Sequence, residues 1–407
     1  MAFVYEEKYS YPVRVMLNLT DNCNLACRYC FVQQKPNYMT LQVAKDAVDY
    51  IVNNYKIRTE KYGFKERKSI YFFGGEPTLM FDSIIIPLID YIETTYDINE
   101  FDFGITTNGT LLNKERIDFL KKYNIFPLLS IDGNAETQNY NRPYKNGIGN
   151  SFDAVIKNIP YLLKNFPDVC FRSTVYKDTV KNLYDNFLFA ESLGFKNYAC
   201  IPDTRSVTWN NEDLQVFYGQ LEKIIYHQIE YFLKGERPKM NFSELYDAFK
   251  NVILSELYED REKELRRNPW RCGLGANGCS INYKGDLFSC QEQDSRDTNE
   301  YFYMGNIYTG VNFKKHKQIL DDYMNNSDII CKNVEECNNC PLINICSGGC
   351  VSVNKDLYNN MNFVNPVVCK EKKYYYKLAM GMILILSSNS TFFYYLDEIS
   401  SQFLPKG

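Results

Sequence analysis

Three cysteines lie close together near the start of the chain, in the run Cys23-Asn-Leu-Ala-Cys27-Arg-Tyr-Cys30. Thiolates at such short spacing bind metal well, and a [4Fe–4S] cluster usually takes four of them. A loop that offers three leaves one iron without a protein ligand, as catalytic metal sites leave an open position. An external amino and carboxylate group can then chelate that iron. The spacing therefore predicts a cluster with one open site; a structural zinc loop and an incomplete ferredoxin motif are the alternatives.

A second group of cysteines occupies the last third of the chain. Its nine members are Cys272, Cys279, Cys290, Cys331, Cys337, Cys340, Cys346, Cys350 and Cys369. Close cysteines in a chain without an export signal bind metal more often than they form disulfides. We therefore expect iron bound by thiolates, with two tetrahedral zinc sites as the alternative. The remaining pair, Cys170 and Cys200, lies in predicted strands and is interpreted as buried core.

The composition excludes several functional classes. Lys and Arg number 46 against 50 Asp and Glu, so the net charge of −4 gives no basic surplus for nucleic acid. The two histidines, His227 and His316, leave the commonest general base nearly absent. No secretory signal is visible, and the longest apolar run, 378–386, is shorter than the about 20 residues of a membrane span. We expect a soluble, cytoplasmic protein without a nucleic-acid or membrane partner.

Short strands alternate with helices through the first half of the chain. The predicted strands are 13–19, 69–73, 101–106, 126–131, 169–175 and 197–201, and the predicted helices are 41–52, 83–95, 114–123, 152–164 and 182–193. This alternation predicts βαβ units and a parallel sheet, open or closed as a barrel. A charged helical stretch, 208–267, then leads to the cysteine-rich part.

Polar or glycine-rich turns follow four consecutive predicted strands. The first cysteine group follows the first strand, and the next three turns are Gly74-Gly-Glu-Pro77, Thr107-Asn-Gly109 and Ser130-Ile-Asp-Gly133. In parallel α/β proteins the loops at the carboxyl ends of the strands build the site. Four such turns therefore predict a composite small-molecule site at one rim.

The pattern Cys-x3-Cys-x2-Cys after the first strand, with Gly-Gly-Glu-Pro after the second, resembles the radical S-adenosylmethionine (SAM) enzymes. The resemblance implies an α/β fold with a partial (β/α)6 barrel, in which Cys23, Cys27 and Cys30 hold a [4Fe–4S] cluster and SAM binds the fourth iron. An external reductant such as flavodoxin or ferredoxin would then drive cleavage of SAM to methionine and a 5′-deoxyadenosyl radical. The residues that match the SAM site are Tyr29, Gly75, Ser130 and Arg142. Taken alone, Arg142 would be interpreted as a surface ion pair.

The second cysteine group resembles the SPASM domain, which binds two auxiliary [4Fe–4S] clusters and would bring the total to three. By position, the first set is Cys272, Cys279, Cys290 and Cys350, and the second is Cys337, Cys340, Cys346 and Cys369. Cys331 is left over, as a structural residue or a substitute ligand. The implied domains are the radical SAM barrel at 1–205, a helical bridge at 206–270, the SPASM domain at 271–370 and a helical tail at 371–407.

SPASM enzymes generally act on peptide or protein side chains, so a peptide is the expected substrate. Sulfatase-maturating members carry an aspartate that acts as the base, directly after the third cysteine of the first auxiliary set. This chain has Gln291 at that position. An amide is a poor proton acceptor, and the candidate replacements, Glu292 and Asp294, are expected in a solvated loop.

We therefore predict a maturase of ribosomally made peptides that forms a thioether crosslink. Formylglycine formation is the enzymatic alternative, and an iron–sulfur electron-transfer protein is the alternative outside enzymes. Cys23 leaves no room before the barrel for a leader-binding domain. Leader capture would therefore fall to a separate protein or to another part of this chain.

Overall fold

The computed structural model describes residues 5–257, 272–276, 278–295, 300–324, 340, 342, 346 and 348–401. The chain divides into two compact units. Unit 1 comprises Met1–Ser130, Arg142–Phe166 and Cys272–Ser327, and unit 2 comprises Ile131–Asn141, Pro167–Arg271 and Asp328–Gly407. The domain boundaries drawn from the sequence stay a prediction.

The described residues form eleven strands. They are β1 Arg14–Asn18, β2 Lys68–Phe73, β3 Phe101–Thr107, β4 Ile125–Ser130, β5 Cys170–Val175, β6 Asn197–Pro202, β7 Asn241–Phe242, β8 Cys279–Ile281, β9 Asp286–Phe288, β10 Tyr303–Asn306 and β11 Gly310–Val311. In unit 1, β1 to β4 run parallel in that order, and β8 pairs in parallel with the other edge of β1. Strands β8 to β11 continue as antiparallel neighbours. In unit 2, β5, β6 and β7 are parallel. The predicted α/β class and the six predicted strands are confirmed.

Helices connect and cover these strands. They are α1 Leu41–Tyr62, α2 Ile86–Thr95, α3 Lys114–Lys122, α4 Ala135–Asn141, α5 Ser151–Ile156, α6 Ile159–Asn165, α7 Leu183–Ser192, α8 Asn211–Leu233, α9 Ser243–Leu257, α10 Phe313–Met324, α11 Val351–Tyr358, α12 Pro366–Ile385 and α13 Ser390–Ser401. In this described part of the chain, no helix is both long enough and apolar enough to span a bilayer.

Local chemistry explains where these helices begin and end. The Thr40 side chain caps α1 by accepting a hydrogen bond from the Val43 amide, and Gly63 ends the helix with φ of 67°. The predicted helix 152–164 is two helices, because Pro160 lies in the first turn of α6 and supplies no amide hydrogen to continue α5.

The strands alternate between two environments. In β2, Ile70 and Phe72 are fully buried, whereas Tyr71 and Phe73 are half-buried on the opposite face. Strand register places Met16, Gly104 and Ser280 on the same face as Tyr71. We call this the inner face of unit 1. A side chain at Gly104 would overlap the Tyr71 ring, so glycine lets this ring lie across β3.

The two isolated cysteines belong to unit 2. Cys200 is fully buried in β6, as predicted, whereas Cys170 at the start of β5 is only half-buried. Burial raises the pKa of both thiols. Each therefore stays protonated at neutral pH, as expected of core residues.

Candidate functional site

The first three cysteines lie in the loop of residues 19–38, which follows β1 and is called the cysteine loop below. Leu25 forms an isolated antiparallel bridge with Tyr144. The Ala26 amide also donates to the Pro143 carbonyl across 2.8 Å. The segment after Arg142 therefore pins the middle of the cysteine loop.

Cys23 is the most buried of the three, with 8% of its surface exposed. The Leu25 amide donates to its Sγ across 3.3 Å, and the Asn108 Nδ2 donates across 3.7 Å. Burial, with a smaller contribution from the Glu76 carboxylate, raises the pKa of this thiol to about 12. A thiolate at this position therefore needs a bound cation, and two N–H donors already point at the sulfur.

Arg142 lies beside the other two cysteines and is buried, with 7% of its surface exposed. Its Nη1 lies 3.9 Å from Cys27 Sγ, and its guanidinium carbon lies 5.3 Å from the centre of the Tyr29 ring. Cys30 is exposed at the edge of the loop. The structure thus joins Tyr29 and Arg142 at the cysteine loop, and the burial of Arg142 shows that this side chain does not lie on the surface.

The glycine turn after β2 packs against the cysteine loop. The Gly75 amide donates to the Thr20 carbonyl across 2.7 Å, and the Glu76 amide donates to the Asn22 carbonyl across 2.9 Å. A side chain on Gly75 would overlap the Asn22 carbonyl oxygen. Only glycine therefore allows the two backbones to approach this closely.

Glu76 is a buried carboxyl beside the cysteine loop that the sequence reasoning did not single out. It is 1% exposed, and its carboxylate accepts hydrogen bonds from the Thr78 amide (3.1 Å), the Thr107 hydroxyl (2.8 Å) and the Asn108 amide (2.7 Å). Burial raises the pKa of this carboxyl, and these donors oppose the effect. Glu76 therefore ties the turn after β2 to the turn after β3. The sequence did contain a sign of this contact. A glutamate lies in the turn after β2, and the hydrogen-bonding pair Thr107-Asn108 lies in the turn after β3.

Ser130, the remaining residue of the predicted SAM site, is the last residue of β4 and is half-buried. Because β1 to β4 are parallel, Ser130 lies at the same edge of the unit 1 sheet as the cysteine loop and the Gly75 turn. The first three predicted turns and Ser130 therefore lie together in unit 1, whereas the rest of the fourth turn, from Ile131, belongs to unit 2. The small-molecule site itself stays a prediction.

Asp294 is buried, with 6% of its surface exposed, so the predicted solvated position is wrong for this residue. It accepts a hydrogen bond from Asn18 Nδ2 across 3.0 Å and another from the Ser280 hydroxyl on the inner face. Asn18 Nδ2 also donates to Asp21 across 3.0 Å. Burial, aided by the charge of Asp21, raises the pKa of Asp294 to about 7. The other candidate base, Glu292, is half-buried.

The second cysteine group is shared between the two units. Unit 1 contains Cys272 and Cys290, both half-buried, and Cys279, which is buried in β8. Unit 2 contains Cys340, Cys346, Cys350 and Cys369, of which Cys350 is exposed and the others are half-buried. Cys331 and Cys337 lie outside the described residues. Burial raises the pKa of the Cys272 and Cys279 thiols.

Among the residues that the structure describes, no three His, Cys, Asp or Glu side chains form a group suited to one metal ion. A cubane does not require such a group, because its thiolates bind different irons. The donor set of the cysteine loop, three thiols with N–H groups directed at one sulfur, therefore fits an iron–sulfur cluster.

Comparison with known proteins identifies this part of the chain. The model of the radical SAM superfamily matches residues 17–187, which include the cysteine loop, the glycine turn, Ser130 and Arg142. The chain carries a radical SAM domain. This match confirms the radical SAM domain that the cysteine loop and the Gly-Gly-Glu-Pro turn predicted.

Two named relatives and one solved structure extend the likeness along the chain. The radical SAM cyclopropyl synthase TigE of Paramaledivibacter caminithermalis is 24% identical over 94% of this chain and 76% of its own length. The cysteine-type anaerobic sulfatase-maturating enzyme of Clostridium novyi is 25% identical over 81% of this chain and 85% of its own. The structure of native anSMEcpe with bound AdoMet and Cp18Cys peptide is 20% identical, with a TM-score of 0.66 over 92% of this chain and 99% of that one. This similarity confirms the α/β radical SAM fold.

Proposed function

We propose that this chain is a radical SAM maturase that joins a cysteine sulfur to a carbon atom of a ribosomally made peptide. The peptide substrate is supported by the similar structure that holds AdoMet together with a peptide, and by the relative named for sulfatase maturation. An external reductant such as flavodoxin or ferredoxin, and a separate leader-binding protein, belong to the same proposal.

In this proposal the cysteine loop binds the first cluster and the residues around it bind SAM. Cys23, Cys27 and Cys30 are the ligands, and SAM contacts Tyr29, Gly75, Ser130 and Arg142. When bound, this pair supplies a 5′-deoxyadenosyl radical, which takes a hydrogen atom from the peptide. The buried guanidinium of Arg142 suits the carboxylate of SAM, because a planar fork of donors pairs well with two oxygens.

Two auxiliary clusters complete the proposed cofactor set. The first is assigned to Cys272, Cys279, Cys290 and Cys350, and the second to Cys337, Cys340, Cys346 and Cys369. When bound, these clusters would supply an acceptor for the one electron that remains after the sulfur–carbon bond forms. Overall, the peptide loses one hydrogen atom to the radical, one proton from the thiol and one electron, so its mass falls by two hydrogens.

The observation that carries the thioether assignment is Gln291, which follows Cys290 directly and is half-buried. Its amide is a poor proton acceptor, whereas formylglycine formation requires removal of a proton from the substrate hydroxyl or thiol as the carbon radical is oxidised. A cysteine thiol has an ordinary pKa near 8.5 and can lose its proton to water or buffer while it captures a carbon radical. Thioether formation therefore does not require a protein base at position 291, whereas formylglycine formation requires a base in the site.

Formylglycine formation is a second candidate, and one observation favours it. Asp294 lies three residues after Gln291, is buried against the inner-face residue Ser280, and has a pKa raised to about 7. A carboxyl with that pKa exchanges protons readily at neutral pH. Asp294 therefore offers a base at a different position from the aspartate of the sulfatase-maturating enzymes.

The deciding experiment incubates the dithionite-reduced enzyme with SAM and one of two peptides. One is a short cysteine-rich peptide, and the other carries a sulfatase motif. A loss of two hydrogens, with a thiol that no longer reacts with iodoacetamide, is the expected result. Loss of two hydrogens with all thiols still reactive would contradict the thioether and indicate a carbon–carbon bond. Formylglycine in the sulfatase peptide would select the second candidate. A variant with Cys23, Cys27 and Cys30 replaced by Ala is the control.

A further inference from the structure

The side chain of Asn108 is held in a single orientation toward the cysteine loop. Its Oδ1 accepts hydrogen bonds from the Thr110 amide (3.0 Å) and the Thr110 hydroxyl (2.6 Å). These two donors identify the oxygen end of the amide, so Nδ2 must point the other way. There it donates to Asn24 Oδ1 across 2.9 Å and to Cys23 Sγ across 3.7 Å.

The backbone around Asn108 is equally constrained. The Glu76 carboxylate accepts the Asn108 amide hydrogen across 2.7 Å, in the position already described. The next residue, Gly109, has φ of 74°, and a Cβ there would lie 2.6 Å from Leu129 Cδ1. A movement of Asn108 that takes Nδ2 away from Cys23 would therefore break the hydrogen bonds with Glu76 and Thr110.

Burial strengthens the effect of this donor on the sulfur. Asn108 is 6% exposed and Cys23 is 8% exposed, so little water competes for either group. Hydrogen bonds to cluster sulfurs are one of the factors that set the reduction potential, because they stabilise the more negative, reduced form. The other described donor to Cys23 is the Leu25 backbone amide, which side-chain substitution does not remove. Asn108 is therefore the adjustable donor.

We propose that Asn108 is a positioning residue that raises the reduction potential of the cluster bound by Cys23, Cys27 and Cys30. The role of Glu76 and Thr110 is to hold the Asn108 amide in the donating orientation. The inference rests on the proposed assignment of Cys23 as a cluster ligand.

The test is a redox titration of the reconstituted holoprotein, followed by EPR, in which the signal that changes on addition of SAM identifies this cluster. Asn108→Asp keeps an acceptor for Thr110 but replaces the donor by an oxygen. Asn108→Ser removes the amide without adding charge. We expect the midpoint potential to shift to more negative values in both variants, and further in Asn108→Asp. A tenfold fall in the ratio of reduced to oxidised cluster at the wild-type midpoint corresponds to 59 mV for one electron.

Asn158→Ala is the matched control, because Asn158 is a half-buried asparagine of unit 1 whose Nδ2 donates to the Leu112 carbonyl (2.7 Å). The midpoint potential of the cluster in Asn158→Ala should equal that in the wild type. Unchanged potentials in both Asn108 variants would overturn the inference and leave the cluster assignment intact. If both Asn108 variants fail to take up the cluster while the control takes it up normally, Asn108 has a structural role. That result would also overturn the inference. A SAM-responsive signal that survives Cys23→Ala would overturn the cluster assignment itself.

Discussion

Asn18 donates a hydrogen bond to Asp294 across 3.0 Å, although 276 positions separate the two residues in the chain. Asn18 is the last residue of β1 and precedes the cysteine loop, whereas Asp294 follows Cys290 by four positions. The same amide group also donates to Asp21 inside the loop. One buried network thus links the first cysteine group to the unit 1 part of the second, and it places a carboxyl at their junction.

Replacement of Asp294 by Asn distinguishes the two candidate reactions. If Asp294 accepts the substrate proton in formylglycine formation, Asp294→Asn should lower turnover on the order of 10²–10⁴-fold. In thioether formation, which we expect, turnover should stay within about tenfold because the thiol proton can pass to water. Glu292→Gln tests the other candidate base, which is half-buried in the same turn. Product is quantified by mass spectrometry. A large loss of turnover confined to Asp294→Asn would favour formylglycine formation over thioether formation.

The raised pKa of Asp294 predicts a pH-dependent stability difference between the wild type and Asp294→Asn. The pKa is about 7 in the folded protein against 3.8 as the reference, so the folded state binds this proton more tightly. The stabilisation that this proton gives the folded protein is complete below about pH 4 and is lost as the pH rises through 7. Relative to the wild type, Asp294→Asn should therefore gain stability between pH 5 and pH 8, by up to a few kcal/mol.

Urea unfolding of both proteins at the two pH values measures this difference. Other buried carboxyls, such as Glu244 with a pKa raised to about 8, titrate in both proteins and cancel in the comparison. An equal stability difference at pH 5 and pH 8 would show that Asp294 is charged throughout this range.

Arg142→Ala should weaken SAM binding. The loss of a charge-assisted hydrogen bond costs on the order of 1.5–3 kcal/mol, or roughly tenfold to 150-fold in Kd. Arg67→Ala serves as the control, because Arg67 forms an exposed ion pair with Asp102 in the same unit. Isothermal titration of the reconstituted protein with SAM gives both values. Equal affinities in the two variants would remove Arg142 from the SAM site.

Iron content tests the proposed three clusters. Three cubanes require about 12 iron atoms per chain after anaerobic reconstitution. Replacement of Cys23, Cys27 and Cys30 by Ala should remove about four of them and abolish formation of 5′-deoxyadenosine. Iron is assayed colorimetrically and the nucleoside by chromatography. Zinc in the anaerobically purified protein, or about four iron atoms in total, would contradict the two auxiliary clusters.

Gly75→Ala should destabilise the protein and impair cluster uptake, because the new methyl group would overlap the Asn22 carbonyl oxygen of the cysteine loop. Steric overlap of this kind costs on the order of 1–3 kcal/mol. Gly219→Ala in α8 is the matched control, since no heavy atom lies within 4 Å of its added Cβ. That change should stabilise the helix by about 0.5–1 kcal/mol. Thermal unfolding and iron content are measured for both variants. Equal stability and equal iron content would show that the glycine turn shifts to accommodate the methyl group.

Local patterns in the sequence determined the strands, the class of fold and the family. Alternating burial and helical spacing involve neighbours only a few positions apart, and so do the distances between Cys23, Cys27 and Cys30. Pro160 belongs to the same local information, and it divides the predicted helix 152–164 into two helices. These features are encoded within single segments, so a single sequence is enough to find them.

Only the tertiary structure decided which polar groups are buried and bonded to one another. Asp294 becomes buried because β8 pairs with β1 and brings Ser280 and Asn18 against it. Asn108 reaches Cys23, 85 positions away, because parallel strands place their carboxyl ends at one edge. Burial and pKa depend on partners that meet only after the chain folds, and local sequence patterns carry no record of those partners.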